Sequence, residues 1–288
     1  MCKNEGFNLK WEIQQRLAAI EVALLWKGQV NRKDLKELFG IGEIQAAKDF
    51  SKYHELFPNN MVYDRVARSY IPSDRFHPQL LKGTPEEFLR LLRSVSKTKP
   101  DASIVLLSTL PSVEIVSAAE RSCESKTLQI LNRAICNRLK VVVRYQSMNT
   151  ELEAGLILSP HTLVYNGFRW HIRAYSEKHE EYRDLLLARI CSISQSTDQA
   201  EHDASSDVLW NKMVDIIILP HPGLKPSQKR VIEDDYGMVK GVYKHTTRGA
   251  LAGYFLQLMR VGIGDEEREA RVQQIILGNK EELRPYIF

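Results

Sequence analysis

The chain has 288 residues, 43% of them hydrophobic and 26% charged, the balance of a globular protein and not of a disordered tail. Lys and Arg total 40 against 36 Asp and Glu; so small an excess neither identifies a nucleic-acid binder nor excludes one, because a local face can be basic on a near-neutral protein. The start, Met1-Cys2-Lys3-Asn4-Glu5-Gly6, lacks an apolar run after a basic stretch, and aliphatic runs such as Ile216–Leu219 fall far below the ~20 residues of a membrane helix, so a cytoplasmic protein is expected.

The cysteines are Cys2, Cys123, Cys136 and Cys191. None forms a CxxC pair or has a His at zinc-finger spacing, so reduced thiols are expected, with no metal site. Walker-type, GxSxG and HExxH motifs are absent. The expectation is therefore no cofactor and no enzyme. At about 100–200 residues per domain, the length allows two or three domains.

Trp11, Ile13, Leu17, Ile20, Leu24 and Leu25 recur at helical spacing over 10–26. Lys27-Gly28-Gln29 breaks the run. Asn31 is a natural N-cap for a second helix to Phe39, with Leu35 and Leu38 facing inward. After Gly40-Ile41-Gly42 a third helix is expected over 43–56, with Ile44, Ala47, Phe50 and Tyr53 inward. Met61-Val62-Tyr63 and Ser69-Tyr70-Ile71, flanking Asp64 to Arg68, read as a β-hairpin.

Helix, helix, turn, helix and hairpin make a winged helix-turn-helix. Its third helix has the width of the major groove. The face expected outside offers Gln45, Ala46, Lys48, Asp49 and Lys52, and the hairpin tip offers Arg65 and Arg68. Arg32 and Tyr53 complete the candidate DNA contacts. A helical protein–protein module with a polar outer face is the alternative for this block.

Thr84-Pro85-Glu86-Glu87 starts a further helix over 85–95. Lys97 to Asp101 is a candidate joint, and 125–139 a further helix with Leu128, Leu131, Ile135 and Leu139 inward. Strands follow at 141–145, 155–159, 162–166, 168–175 and 185–190, a spacing that suggests a small barrel. In Arg169 to Tyr175, Trp170, Ile172 and Ala174 alternate with Arg169, His171, Arg173 and Tyr175. Period-2 alternation puts the two sets on opposite faces. One face packs; the other is a cationic row suited to phosphate or carboxylate, extended by Arg183 and Arg189. A solvated outer face is the alternative. Ser194 to Ser206 reads as a linker. Beyond it lies an α+β module, with strands at 215–219 and 238–243 and helices at 225–234 and 247–259.

At these residues a family resemblance appears. Val141–Ser147, Leu158–Tyr165, Asn166–Tyr175, Tyr182-Arg183-Asp184 and Leu187–Ile190 resemble the WYL domain, with Trp170-His171-Ile172 in place of the name-giving Trp-Tyr-Leu. The variant, with its Ser159-Pro160-His161, is similar to the BrxR and CapW type of bacterial phage-defence regulators, the systems called BREX and CBASS. The resemblance implies an α+β architecture: a winged helix over 1–78, a helical linker over 79–126, a WYL domain built as a small Sm/SH3-like β-barrel over 127–197, and a WCX-type dimerisation module over 198–288. It implies a homodimeric repressor on an inverted-repeat operator, released by a nucleotide or nucleic-acid effector. The family's pocket falls on Tyr145, Ser147, His161, Arg169, His171, Arg173, Arg183 and Arg189. Competing readings are an activator or single-strand-binding effector using the WYL face, and last an enzyme with His171 as acid–base, which has no nucleophile or metal set beside it.

Overall fold

The computed structural model describes residues 9–95, 116, 123–148 and 153–287. The chain divides into two compact units, residues 1–117 and 118–288.

In the first unit, α1 spans Trp11–Val22 and widens into a π-turn over Ala23–Lys27, which Gly28 ends in the left-handed region. Helix α2 (Arg32–Phe39) opens with a reciprocal capping box: the Asn31 side chain accepts the Asp34 N–H, and Asp34 accepts the Asn31 N–H. Gly40 closes α2 at φ +62°, the left-handed turn that glycine favours. Helix α3 is Glu43–Leu56, and β1 (Met61–Asp64) pairs antiparallel with β2 (Ser69–Pro72) as the wing. Helix α4 is Pro85–Val95. Leu17, Ile20 and Leu24 of α1, Leu35 of α2, and Phe50 and Tyr53 of α3 form one core. Trp26 stacks on Phe88 with ring centroids 4.3 Å apart, joining α4 to the end of α1.

A buried carboxylate ties this unit together. Glu21 is wholly buried. It accepts the Tyr53 hydroxyl at 3.0 Å and the backbone N–H groups of Gln79, Leu80 and Leu81 at 2.8–2.9 Å. Burial pushes its pKa up; the four donors pull against that rise.

The inward faces differ from expectation in two places. Trp11 is largely exposed. On α3 the buried stripe is Ala46, Asp49, Phe50 and Tyr53, while Ile44 stands in solvent. Ile44 and Tyr53 are about two and a half turns apart, so a strict three-residue spacing drifts from one side of the helix to the other.

In the second unit, α5 (Ser125–Asn137) leads into β3 (Leu139–Tyr145), β4 (Glu153–Tyr165), β5 (Trp170–Ser176), β6 (Glu181–Leu186) and β7 (Ile190–Gln199). The sheet order is β6-β5-β4-β3-β7, every neighbour antiparallel. The stretches 155–159 and 162–166, expected as two strands, are one strand whose register shifts at Pro160, where a proline cannot donate to the ladder. The expected linker from Ser194 is β7 as far as Gln199. Leu131 and Ala134 of α5 pack on Val141, Leu158, Ile172 and Ala174; Leu128 is exposed. After α6 (Val208–Asn211), β8 (Met213–Pro220) is flanked by β9 (Tyr243–Arg248) and β10 (Ile275–Leu277). Helices α7 (Pro226–Asp235), α8 (Gly249–Met259) and α9 (Lys280–Leu283) complete the module around Ile216, Ile218, Leu256 and Leu283. The candidate joint at Lys97–Asp101 lies outside the described residues.

Candidate nucleic-acid interface and ligand pocket

The outward stripe of α3 carries Ile44, Lys48 and Ser51, one helical turn apart. Lys48 is exposed and has no carboxylate within ion-pair distance among the described residues. Gln45 donates its amide to Asp49 at 3.0 Å, and Lys52 pairs with Glu55 at 2.9 Å. At the wing tip the Asp64 carboxylate accepts the N–H groups of Val66 and Ala67, which sets the turn. Arg65 and Arg68 project from it into solvent. Between the start of α2 and the wing lies an open groove of about 460 Å³, lined by Asn31, Arg32, Lys33, Tyr63, Arg68 and Tyr70. Lys33, Tyr63 and Tyr70 were not among the residues expected from the sequence; their only signal is position beside Arg32 and on the wing strands.

Three of the expected DNA contacts are corrected by burial. Ala46 and Tyr53 are 0% exposed and Asp49 2%. Asp49 receives the Arg16 guanidinium bidentately at 2.6 and 3.2 Å, so its charge is neutralised inside the unit and fixes how α3 is rotated against α1.

The row on β5 is likewise not an open surface. Arg173 is 4% exposed and Asp207 1%. The Arg173 guanidinium donates twice to Asp207, at 2.6 and 3.0 Å, and once to Asp184 at 3.3 Å. Asp207 also accepts the Trp210 N–H as the N-cap of α6 and lies 3.3 Å from His161 Nε2. Thr162 Oγ1 is 2.8 Å from the other ring nitrogen. Those partners suit a neutral His161 donating from Nε2 and accepting at Nδ1. Burial drives the His161 pKa down; the pull of Asp207 does not offset this, because Arg173 already balances that carboxylate. Burial alone would raise the Asp207 pKa; the Arg173 guanidinium, the Trp210 N–H and His161 together outweigh it and hold it low. Tyr254 of α8 donates its hydroxyl to Asp184 at 3.2 Å. Asp184, Asp207 and Tyr254 were missed in the sequence. Asp207 had a readable signal as a helix N-cap; the other two are defined by what folds over β5.

Beside this seam the remaining pocket residues fall into three groups. His171 is 8% exposed, lies against Tyr254 with ring centroids 5.1 Å apart, and its Nδ1 has no hydrogen-bond partner. The buried Nε of Arg169 also has none. Burial lowers the His171 pKa, Asp184 and the Arg169 backbone carbonyl oppose that, and the charges of Arg169 and Arg189 add to the lowering; these side chains are thus near enough to feel one another. Tyr145 accepts the Leu186 N–H at 3.1 Å. Ser147 follows β3 and is half-buried. Arg183 stands apart, exposed and paired with Glu181 at 3.2 Å. It borders a separate cavity of about 580 Å³ shared with Arg173, Tyr182, Tyr254 and Tyr286.

Among the described residues no helix is long and apolar enough to cross a membrane, and no His, Cys, Asp and Glu cluster could hold a metal ion.

Comparison with known proteins places this geometry. Residues 12–94 match the BrxR transcriptional regulator winged helix-turn-helix domain, 126–195 the WYL domain, and 213–283 the BrxR transcriptional regulator C-terminal dimerization domain. The chain is 33% identical to a DNA-binding transcriptional repressor CapW of Stenotrophomonas maltophilia, over 97% of this chain and 93% of that protein. It is 34% identical to CapW repressors of Escherichia coli (strain KTE188), over 95% and 91%, and of Pseudomonas aeruginosa, over 96% and 93%.

Proposed function

Because the chain belongs to the CapW/BrxR family of DNA-binding transcriptional repressors, we propose that it acts as a homodimer on an inverted-repeat operator upstream of a phage-defence operon and leaves the DNA when a ligand binds its WYL sheet. Each winged helix meets one half-site. Lys48, Arg65 and Arg68 hold phosphates, Arg32 and Lys52 join them by exchanging Glu43 and Glu55 for the backbone, and Gln45 reads a base edge on leaving Asp49. One winged helix makes few contacts, so the dimer supplies affinity by holding the second at high effective concentration.

The observation that carries the ligand half of the reading is the pair of buried, unpartnered nitrogens, His171 Nδ1 and Arg169 Nε, beside Arg189. Buried polar groups are nearly always satisfied. Two that are not, in a cationic setting, suit an anionic ligand with acceptor oxygens, such as a nucleotide or a short nucleic-acid fragment. Tyr145 and Ser147 lie at and just beyond the end of β3, two strands away in the sheet, His161 and Arg173 couple the site to the C-terminal module through Asp207, and Arg183 borders the cavity beside that module. Release requires the ligand to bind the DNA-free conformation more tightly than the DNA-bound one.

The test is fluorescence anisotropy on a labelled duplex from upstream of the protein's own gene, at fixed salt, titrated with nucleotides and short single strands. Release by one of these in the wild type, with Arg169→Ala binding the duplex normally but no longer responding, is the expected result. Absence of duplex binding sinks the DNA reading, and an unchanged response in Arg169→Ala removes the ligand from this sheet.

A second reading has its own observation. Tyr165, Phe168 and Trp170 are each about half exposed, Tyr165 and Trp170 lie 5.0 Å apart, and the Arg169 guanidinium sits 4.8 Å over Phe168. Such a platform suits stacked bases of a single strand, as an effector using the WYL face requires. Trp170→Ala abolishing single-strand binding while sparing duplex binding is the result that favours it.

A further inference from the structure

Ile44 is the second residue of α3, and 75% of its surface is exposed. It cannot turn inward. The opposite stripe of α3 is filled by Ala46, Phe50 and Tyr53, and the buried Arg16–Asp49 pair at 2.6 Å holds the helix at one rotation about its axis. A β-branched side chain is also stiff at χ1, so its methyl groups keep one direction.

The residues around Ile44 are otherwise engaged. Glu43 is held by Lys36 at 2.8 Å and Arg32 at 3.9 Å, which neutralises the one carboxylate of the first turn. Gln45 is tied to Asp49. The first turn of the helix therefore offers a rigid apolar knob with its adjoining negative charge cancelled, and Lys48 one turn on. The N-terminal residues of a recognition helix are those that meet base edges. Of the four bases, thymine alone presents a methyl group in the major groove.

We propose that Ile44 is a specificity-determining residue that reads the C5-methyl of a thymine in each operator half-site. This rests on the DNA-binding reading above and extends it by assigning a base to a residue. Burying one methyl pair against water corresponds to about a four-fold change in affinity, repeated in each half-site of a two-fold complex.

The experiment uses the full chain. Duplexes enriched by the wild type from a randomised pool are resynthesised with deoxyuridine for deoxythymidine, one position at a time, and their affinities for wild type and Ile44→Ala are measured at one salt concentration. Removing the methyl at one thymine per half-site is expected to weaken the wild type about four-fold and to leave Ile44→Ala unchanged at that position. Unfolding midpoints of the two proteins should coincide, since the side chain is exposed. If Ile44→Ala follows the wild type at every position, or if no deoxyuridine weakens the wild type, the assignment is overturned while DNA binding stands. If no duplex is enriched, the DNA-binding reading and this one fail together.

Discussion

On α3, Lys48 stands in solvent with no carboxylate within ion-pair distance among the described residues, while on β5 Arg173 is 4% exposed and held by Asp184 and Asp207. Both are cations on a regular element with an alternating or helical polar face. An unpaired cation in water costs the fold nothing and is available to a phosphate. A cation taken out of water must be balanced from within, and the balancing carboxylate on Asp207 comes from the start of the C-terminal module. The first is an organ of binding; the second fastens the WYL sheet to the segment that follows it. Asp49 shows that the division runs through single elements. It shares α3 with Lys48, yet its partner Arg16 places it with the buried pairs.

The sharpest way to break this contrast is to remove Arg173. Arg173→Ala leaves two buried carboxylates without their counter-ion and is expected to cost about 3–5 kcal/mol, read as a lower urea midpoint. A near-wild-type midpoint would mean the seam is open to water. Next comes Asp49→Asn, which keeps the shape but discharges the pair with Arg16. It is expected to lower stability by about 1–3 kcal/mol without tightening DNA binding. Were Asp49 facing phosphates, deleting its charge would instead raise affinity and leave stability alone.

A smaller effect follows from the histidines. His161 and His171 are held below their usual pKa by burial. On acidification the unfolded chain takes up protons first, near the ordinary value of about 6.5, so stability rises with pH in this range. The favourable contribution is present above about 6.5 and is lost as pH falls through the folded-state values. Urea midpoints measured between neutral and mildly acid pH should fall, and His171→Phe, which keeps a ring against Tyr254, should flatten part of that fall. The smallest effect on the fold is at Lys48. Lys48→Ala should change stability by less than about 0.5 kcal/mol, yet lower duplex affinity and reduce the slope of log affinity against log salt by about one for each phosphate the lysine no longer neutralises.

Most of the elements were legible locally. Asn31 caps α2 as its position implied, with Asp34 closing the box reciprocally, and the two runs around Asp64–Arg68 pair as a hairpin. Boundaries failed where a local cue had two meanings. Pro160 looked like a break between strands and is a register shift inside β4; the polar Ser194–Gln199 looked like a linker and is a strand whose residues are largely exposed. The candidate site was legible as a list of residue types and less so as an arrangement. Ala46 and Asp49 fell on the wrong side of α3 because a spacing of three was extended over too many turns; Tyr53, which the same spacing placed inward, is in the core and not a DNA contact.

The sequence by itself determined the order of the elements, the winged-helix pattern, the WYL segments and the alternation along Arg169–Tyr175, all of which depend on residues a few positions apart. Only the tertiary structure decided which charges remain available. Asp49 meets Arg16, and Arg173 meets Asp207, across separations of 33 and 34 residues. Period and propensity carry no information about what folds over a face, and the cost of burying a charge is set by the partner that arrives there.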